Sequence, residues 1–196
     1  KRASKISNKE LVEYKQNLYI NNIDIVITER CSMKCLHCSN MMQYYEKPKN
    51  SSLNLLQNSL KRLMTSVDKV SELRVIGGEP FMHREISKII NYLFRFKNFD
   101  TIIIYTNANI VPKDENLLCL INPKVKIHIT DYSSTSAIKT KKFIPEKLKQ
   151  FIETMEKNNI GHDIIKCITG RQYDKGLEKI LGSFEDYIDK KIINEL

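Results

Sequence analysis

The stretch Ile23-Asp24-Ile25-Val26-Ile27-Thr28-Glu29-Arg30-Cys31-Ser32-Met33-Lys34-Cys35-Leu36-His37-Cys38 joins two unlike halves. Residues 23–28 are β-branched apart from Asp24, which reads as a strand buried on both faces, the pattern of a parallel sheet. Three cysteines follow at once, spaced C-x3-C-x2-C, among the polar residues Glu29, Arg30, Lys34 and His37. That polarity places them in a loop at the carboxyl end of the strand. In parallel α/β proteins this end carries the chemistry.

The same alternation continues downstream. A helix is expected over 53–67, where Leu56, Leu60, Leu63, Met64 and Val67 share a face. Strands are expected over 73–76, 101–106, 125–130 and 163–168. Helical stripes lie between them: Ile86, Ile89, Ile90, Leu93 and Phe94, a short helix over 115–120, and Leu148, Phe151, Ile152 and Met155 behind Pro145. A last helix is expected from Leu177, Ile180, Leu181, Phe184 and Ile188. A lead-in helix is expected within 1–22, from the capping pair Ser7 and Glu10 and the spacing of Leu11, Tyr14 and Leu18. The core is then 23–196. Strand–helix repeats imply a parallel α/β fold with right-handed crossovers. A closed eight-unit barrel needs about 250 residues, more than the 196 here, so the expectation is an open, partial TIM-like barrel of five or six βα units or a doubly wound sheet.

Composition narrows the function. Hydrophobic residues make up 41% and charged residues 28%, as in a globular domain. No apolar run approaches the roughly 20 residues of a membrane span, no signal peptide is visible, and the cytoplasm is the default expectation. The net charge of +9 permits an anionic substrate such as a nucleotide, a nucleotide-linked sugar or tRNA, and equally reads as lysines that coat the helices. Only Lys139, Lys141 and Lys142 form a tight basic group, too few for a nucleic-acid footprint. Five unevenly spaced cysteines without an export signal argue for a metal site rather than a disulfide framework.

Thiolates are soft ligands suited to iron–sulfur clusters and zinc. A cubane cluster normally takes four cysteines, so three would leave one iron open. Zinc would require a fourth ligand. His37 adjoins Cys38 and is poorly placed to supply it. Helical packing of 31, 35 and 38 conflicts with the polar residues between them. Cys119 and Cys167 read as core residues. Independently, Gly77-Gly78-Glu79-Pro80 ends the second strand, where glycines admit close backbone approach and a carboxylate suits an ammonium group. Thr106-Asn107 and Asp131 end the third and fourth strands, where a ligand contact and a turn or helix-cap role are both open. Four unusual segments therefore share one rim.

The cysteine loop resembles the signature of the radical S-adenosylmethionine (radical SAM) superfamily, C-x3-C-x-Φ-C, with His37 at Φ. Gly77-Gly78-Glu79-Pro80 resembles that family's second motif, and Thr106-Asn107 its Thr-Asn-Gly, with Ala108 in place of the glycine. The resemblance implies a 4Fe-4S cluster on Cys31, Cys35 and Cys38, with S-adenosylmethionine on the fourth iron. One electron then yields methionine and a 5′-deoxyadenosyl radical, which takes hydrogen from a substrate. It implies further that His37, Gly77, Gly78, Glu79, Pro80, Thr106, Asn107 and Asp131 surround the cofactor, with Glu79 receiving the methionyl amino group. An electron donor such as flavodoxin or ferredoxin is implied as a partner. Ile129 to Ser133 and Met42 to Pro48 resemble a subgroup associated with surface-glycan biosynthesis. Met41, Met42, Tyr44 and Tyr45 are expected to pack over the cluster, with lining of the substrate mouth as the alternative. Many members carry a further C-terminal substrate or auxiliary-cluster region, which is not evident here.

Two rival functions share parts of this pattern. A non-catalytic iron–sulfur carrier or redox sensor would keep the cysteines but have no use for Gly77 to Glu79. A zinc-stabilised nucleic-acid binder would be colourless and free of iron.

Overall fold

The computed structural model describes residues 17–35, 38, 40–133 and 143–167. Among these residues five strands and four α-helices alternate: β1 (Tyr19–Thr28), α1 (Leu53–Ser66), β2 (Lys69–Gly77), α2 (Ile86–Leu93), β3 (Phe99–Thr106), α3 (Asp114–Leu118), β4 (Val125–Asp131), α4 (Pro145–Lys157) and β5 (Gly161–Lys166). The strands form one sheet in the order β1-β2-β3-β4-β5, each pair parallel. Among the described residues β1 and β5 are its edges, as an open, partial barrel requires.

The central strands carry the core on one face, while the other, with Glu72, Arg74, Lys126 and His128, is not buried. In β1 buried Ile25 and Ile27 alternate with exposed Asp24 and Val26, which corrects the expectation of a strand buried on both faces. Val70, Leu73, Val75, Ile102, Ile104, Ile127 and Ile129 are all buried. The helices add one stripe each: Leu60 and Met64 from α1, Ile86, Ile89, Ile90 and Leu93 from α2, Phe151 and Met155 from α4. Phe151 meets Phe81 edge to face, with ring centroids 5.7 Å apart. This contact seats the segment after Gly77-Gly78-Glu79-Pro80 on α4, so the core also braces the rim.

Several boundaries move. β1 begins at Tyr19, inside the stretch assigned to a lead-in helix, because Tyr19, Ile20 and Asn22 pair with Lys69, Val70 and Glu72 of β2. Residues 17 and 18 are not helical, and residues 1–16 of that helix, the last helix and the lysine group at 139–142 lie outside the described residues. β2 starts four residues early: Val70 is buried between Ile20 and Phe99, although polar residues flank it. β5 runs Gly161–Lys166, set by pairing of Gly161 with Lys126.

Candidate active site

The carboxyl ends of β1, β2, β3 and β4 build the site. At β1 the chain is strapped before it enters the cysteine loop. Glu29 N–H donates to Lys49 O (2.8 Å), Lys49 N–H returns to Glu29 Oε2 (2.8 Å), and Thr28 Oγ1 meets Asn50 Oδ1 (2.7 Å). Both ends of the loop are therefore closed by backbone, and the cysteines project from a pinned base. The buried His83 holds the strap from below. Its Nδ1 accepts from Glu85 N–H (3.1 Å), so Nε2 carries the proton that reaches Ser51 O (3.0 Å).

β2 ends against this loop. Gly78 N–H donates to Thr28 O (2.9 Å) and Glu79 N–H to Arg30 O (2.7 Å), carrying the β1–β2 contact up to the residue before Cys31. A Cβ on Gly77 would stand 2.2 Å from Thr28 O, and its φ of +148° is one that side chains rarely adopt. A Cβ on Gly78 would stand 2.2 Å from Arg30 O and 2.9 Å from Cys31 Cβ. Asn40 Nδ2 donates to Gly77 O (3.1 Å), so the returning limb of the cysteine loop also rests on this turn.

Glu79 is fully buried. The carboxylate expected to meet an ammonium group points instead into the protein. It accepts from Thr106 Oγ1 (2.8 Å), Asn107 N–H (2.8 Å) and Phe81 N–H (3.2 Å). It thus clamps the end of β3 to the end of β2. Pro80, buried beside it, opens a 3-10 turn over Pro80–Met82, where its missing N–H costs nothing. Burial pushes the Glu79 carboxyl up to about 7, against the opposing pull of its three hydrogen bonds.

That displacement has a sign. With 4.5 as the ordinary value and about 7 in the fold, the stabilising contribution of the protonated group is complete below about 4.5 and lost as pH rises through 7. The gap corresponds to on the order of 3 kcal/mol. The urea-unfolding free energy of the wild type minus that of Glu79→Gln should therefore fall by this amount between pH 4.5 and 7.5. A pH-independent difference would refute it.

At β3, Ala108 N–H donates to Thr106 Oγ1 (3.0 Å) and Asn109 N–H to Asn107 Oδ1 (3.1 Å). Ala108 has φ 56°, the left-handed conformation for which a glycine is better suited. The Asn107 carboxamide reaches across to the cysteine loop, with Nδ2 3.7 Å from Cys31 Sγ and 3.2 Å from Ser32 Oγ. At β4, Asp131 is buried and its Oδ1 accepts from Ser133 N–H (2.8 Å), a local turn bond.

The three thiols are half-buried and unbridged. Burial pushes Cys31 up to about 11; the Met33 N–H opposes this, and Glu79, Cys35 and Cys38 add to it. Burial also raises Cys35, while Tyr132 lowers it. The cysteines therefore lie within each other's fields. Among the described residues, however, no three His, Cys, Asp or Glu side chains converge on a point that one metal ion could fill. A single zinc holds each sulfur at about 2.3 Å. Three unbridged thiols on one loop are soft donors of the kind that hold an iron–sulfur cluster, each on its own iron, and this donor set fits a cluster.

The family model of the radical SAM superfamily matches residues 25–175, from inside β1 past the end of β5. The chain belongs to the radical SAM superfamily. This family uses a 4Fe-4S cluster and S-adenosylmethionine. The GTP 3',8-cyclase of Clostridium acetobutylicum is 33% identical over 96 residues, 48% of this chain and 29% of that relative. The GTP 3',8-cyclase of Aliarcobacter butzleri is 25% identical over 153 residues, 76% of this chain and 46% of that relative. The chain thus matches less than half the length of these relatives. Among solved structures, Streptococcus suis SuiB bound to precursor peptide SuiA shares the fold, with TM-score 0.62 and 15% identity over 91% of this chain and 40% of that one. Native anSMEcpe with bound AdoMet and Cp18Cys peptide does so with TM-score 0.58 and 13% identity, over 88% of this chain and 48% of that one.

Within this radical SAM chain the expected rim residues Cys31, Gly77, Gly78, Glu79, Thr106 and Asn107 are brought into one bonded array. Cys35, Cys38 and Asp131 stand on the same rim, and His37 lies outside the described residues. Two expectations change. Met41, Tyr44 and Tyr45 are exposed at 54%, 68% and 46%, so they do not pack over the cysteines; Met41 N–H caps Cys38 O (2.9 Å) and the chain then turns outward. Cys119 is buried as expected, whereas Cys167 is half-buried just after β5, where its N–H meets Asp131 O (2.8 Å). His83 was legible only as a lone histidine; its strap partner is 32 residues away in sequence.

Proposed function

We propose that this chain is the catalytic core of a radical SAM enzyme in which Cys31, Cys35 and Cys38 hold the 4Fe-4S cluster, acting on an anionic small molecule, with a nucleotide as the favoured class. When bound and reduced, the cluster supplies the electron that splits S-adenosylmethionine into methionine and a 5′-deoxyadenosyl radical, which takes a hydrogen atom from the substrate. The chain's own part is to position. Gly77 and Gly78 let the second strand lie against the base of the cysteine loop, and their backbone forms the floor on which the methionyl end rests. Glu79, with Pro80 behind it, is a strut beneath that floor. Thr106, Asn107 and Asp131 edge the remainder, with His37 on the loop itself.

The observation that carries the proposal is the pair of backbone bonds from Gly78 to Thr28 and from Glu79 to Arg30, which makes the two motifs one surface. The same bonds change how the carrier alternative is tested. A non-catalytic cluster protein would also need Gly77 to Glu79 to shape its cysteine loop, so loss of function in Glu79→Ala would not separate the two. Cofactor turnover does. Anaerobically reconstituted protein, given dithionite and S-adenosylmethionine, is expected to form 5′-deoxyadenosine. Absence of that product from protein with a full cluster would favour the carrier.

The nucleotide class is supported by the net charge of +9 and by the similarity to GTP 3',8-cyclases. The surface-glycan expectation has only the resemblance of Ile129 to Ser133 and of Met42 to Pro48 behind it. GTP and other nucleotides should therefore be the first compounds tried for stimulation of 5′-deoxyadenosine release. A one-electron donor such as flavodoxin or ferredoxin is the partner this chemistry requires. Among the described residues no helix is long and apolar enough to cross a membrane.

A further inference from the structure

Asn107 is 7% exposed, and its carboxamide has a determined orientation. The Asn109 backbone N–H, 3.1 Å away, can only donate, so the atom facing it is the oxygen. The amide nitrogen must then face the cysteine loop, 3.7 Å from Cys31 Sγ. Ser32 Oγ completes the arrangement, at 3.2 Å from Nδ2 and 3.3 Å from Oδ1. The backbone beneath is equally constrained, since the buried Glu79 carboxylate accepts from Asn107 N–H and from Thr106 Oγ1, both at 2.8 Å. Cys31 Sγ therefore receives two N–H donors, from Met33 (3.4 Å) and from Asn107.

We propose that the Asn107 carboxamide donates a hydrogen bond to the Cys31 sulfur and so sets the reduction potential of the cluster, a role independent of any contact it makes with the cofactor. The proposal rests on the assignment of Cys31, Cys35 and Cys38 as cluster ligands. N–H donors on a ligating sulfur favour the more negative, reduced state and raise the potential. Glu79 acts through Asn107 as a positioning residue, holding the strand end that aims the amide.

The test is a redox titration followed by electron paramagnetic resonance on reconstituted protein without S-adenosylmethionine. Asn107→Ala removes the donor while keeping the backbone N–H that Glu79 holds. At a fixed applied potential its reduced-to-oxidised ratio should fall about three- to tenfold, tenfold being about 59 mV for one electron. Asn107→Asp keeps an acceptor for Asn109 N–H but places a negative acceptor where the donor was, so its ratio should fall further. Both variants holding wild-type iron at an unmoved potential, with only cofactor affinity weakened, would overturn the proposal. Loss of the cluster from both would make Asn107 a structural prop and would overturn it too. Wild-type protein that takes up no iron would instead sink the cluster assignment, and this inference with it.

Discussion

Cys35→Ala is expected to abolish 5′-deoxyadenosine formation while leaving the fold standing. Cys35 is half-buried on the loop and is not among the residues of the hydrophobic core, so truncation removes little packing. Surface-type changes of this kind shift stability by about 0.5 kcal/mol. What is lost is one of three thiolates, leaving two to hold four irons. Iron content should drop well below four per chain, and the product should fall to background. Cys119 provides the control. It is buried in the core directly after α3, and Cys119→Ala should keep iron and turnover while lowering stability. Normal 5′-deoxyadenosine release from Cys35→Ala would show that the assignment of ligands is wrong.

Gly78→Ala is expected to have the second largest effect, through backbone alone. The added methyl would lie 2.2 Å from Arg30 O, 2.6 Å from Arg30 C and 2.9 Å from Cys31 Cβ. Two of these atoms are backbone, so no rotamer change relieves the contact. Separating the segments breaks the bonds from Gly78 N–H to Thr28 O and from Glu79 N–H to Arg30 O, each worth about 0.5–1.5 kcal/mol. Overpacking adds about 1–3 kcal/mol. A total loss of about 3 kcal/mol, with poor iron uptake because Cys31 moves with Arg30, is the expected outcome. Gly161→Ala is the matched control: a methyl there meets nothing closer than 3.7 Å, so stability and iron uptake should hardly change. Equal tolerance at the two glycines, read by urea melts and iron analysis, would contradict the tight seating of the loop.

The parts of this molecule legible in its sequence are those with strong local signals. Ile102 to Ile104 fall in a strand because β-branched runs have few other uses, Val125 to Thr130 because β-branched and polar residues alternate, and the α2 stripe is apolar at helical spacing. The cysteine loop and the Gly-Gly turn were visible because their residue types are rare in that order. What was hidden depends on long-range pairing. Tyr19 to Asn22 look helical or loose alone and become strand only beside Lys69 to Glu72. The inward turn of Glu79 depends on donors 27 and 28 residues away. A carboxylate at a strand end suggests a ligand when its partners are unseen; burial and three donors make it a clamp. Ala108 is a related case: where the family motif has glycine, the backbone here still takes the left-handed conformation, with a φ of 56°.

The most direct test of the central claim compares the electron paramagnetic resonance spectrum of the reduced, reconstituted protein before and after S-adenosylmethionine is added. A cluster held by three thiolates has one iron to which the cofactor binds, so the account predicts a four-iron signal whose g-values shift on addition. A four-iron signal that ignores the cofactor, or a protein that holds no iron, would contradict it.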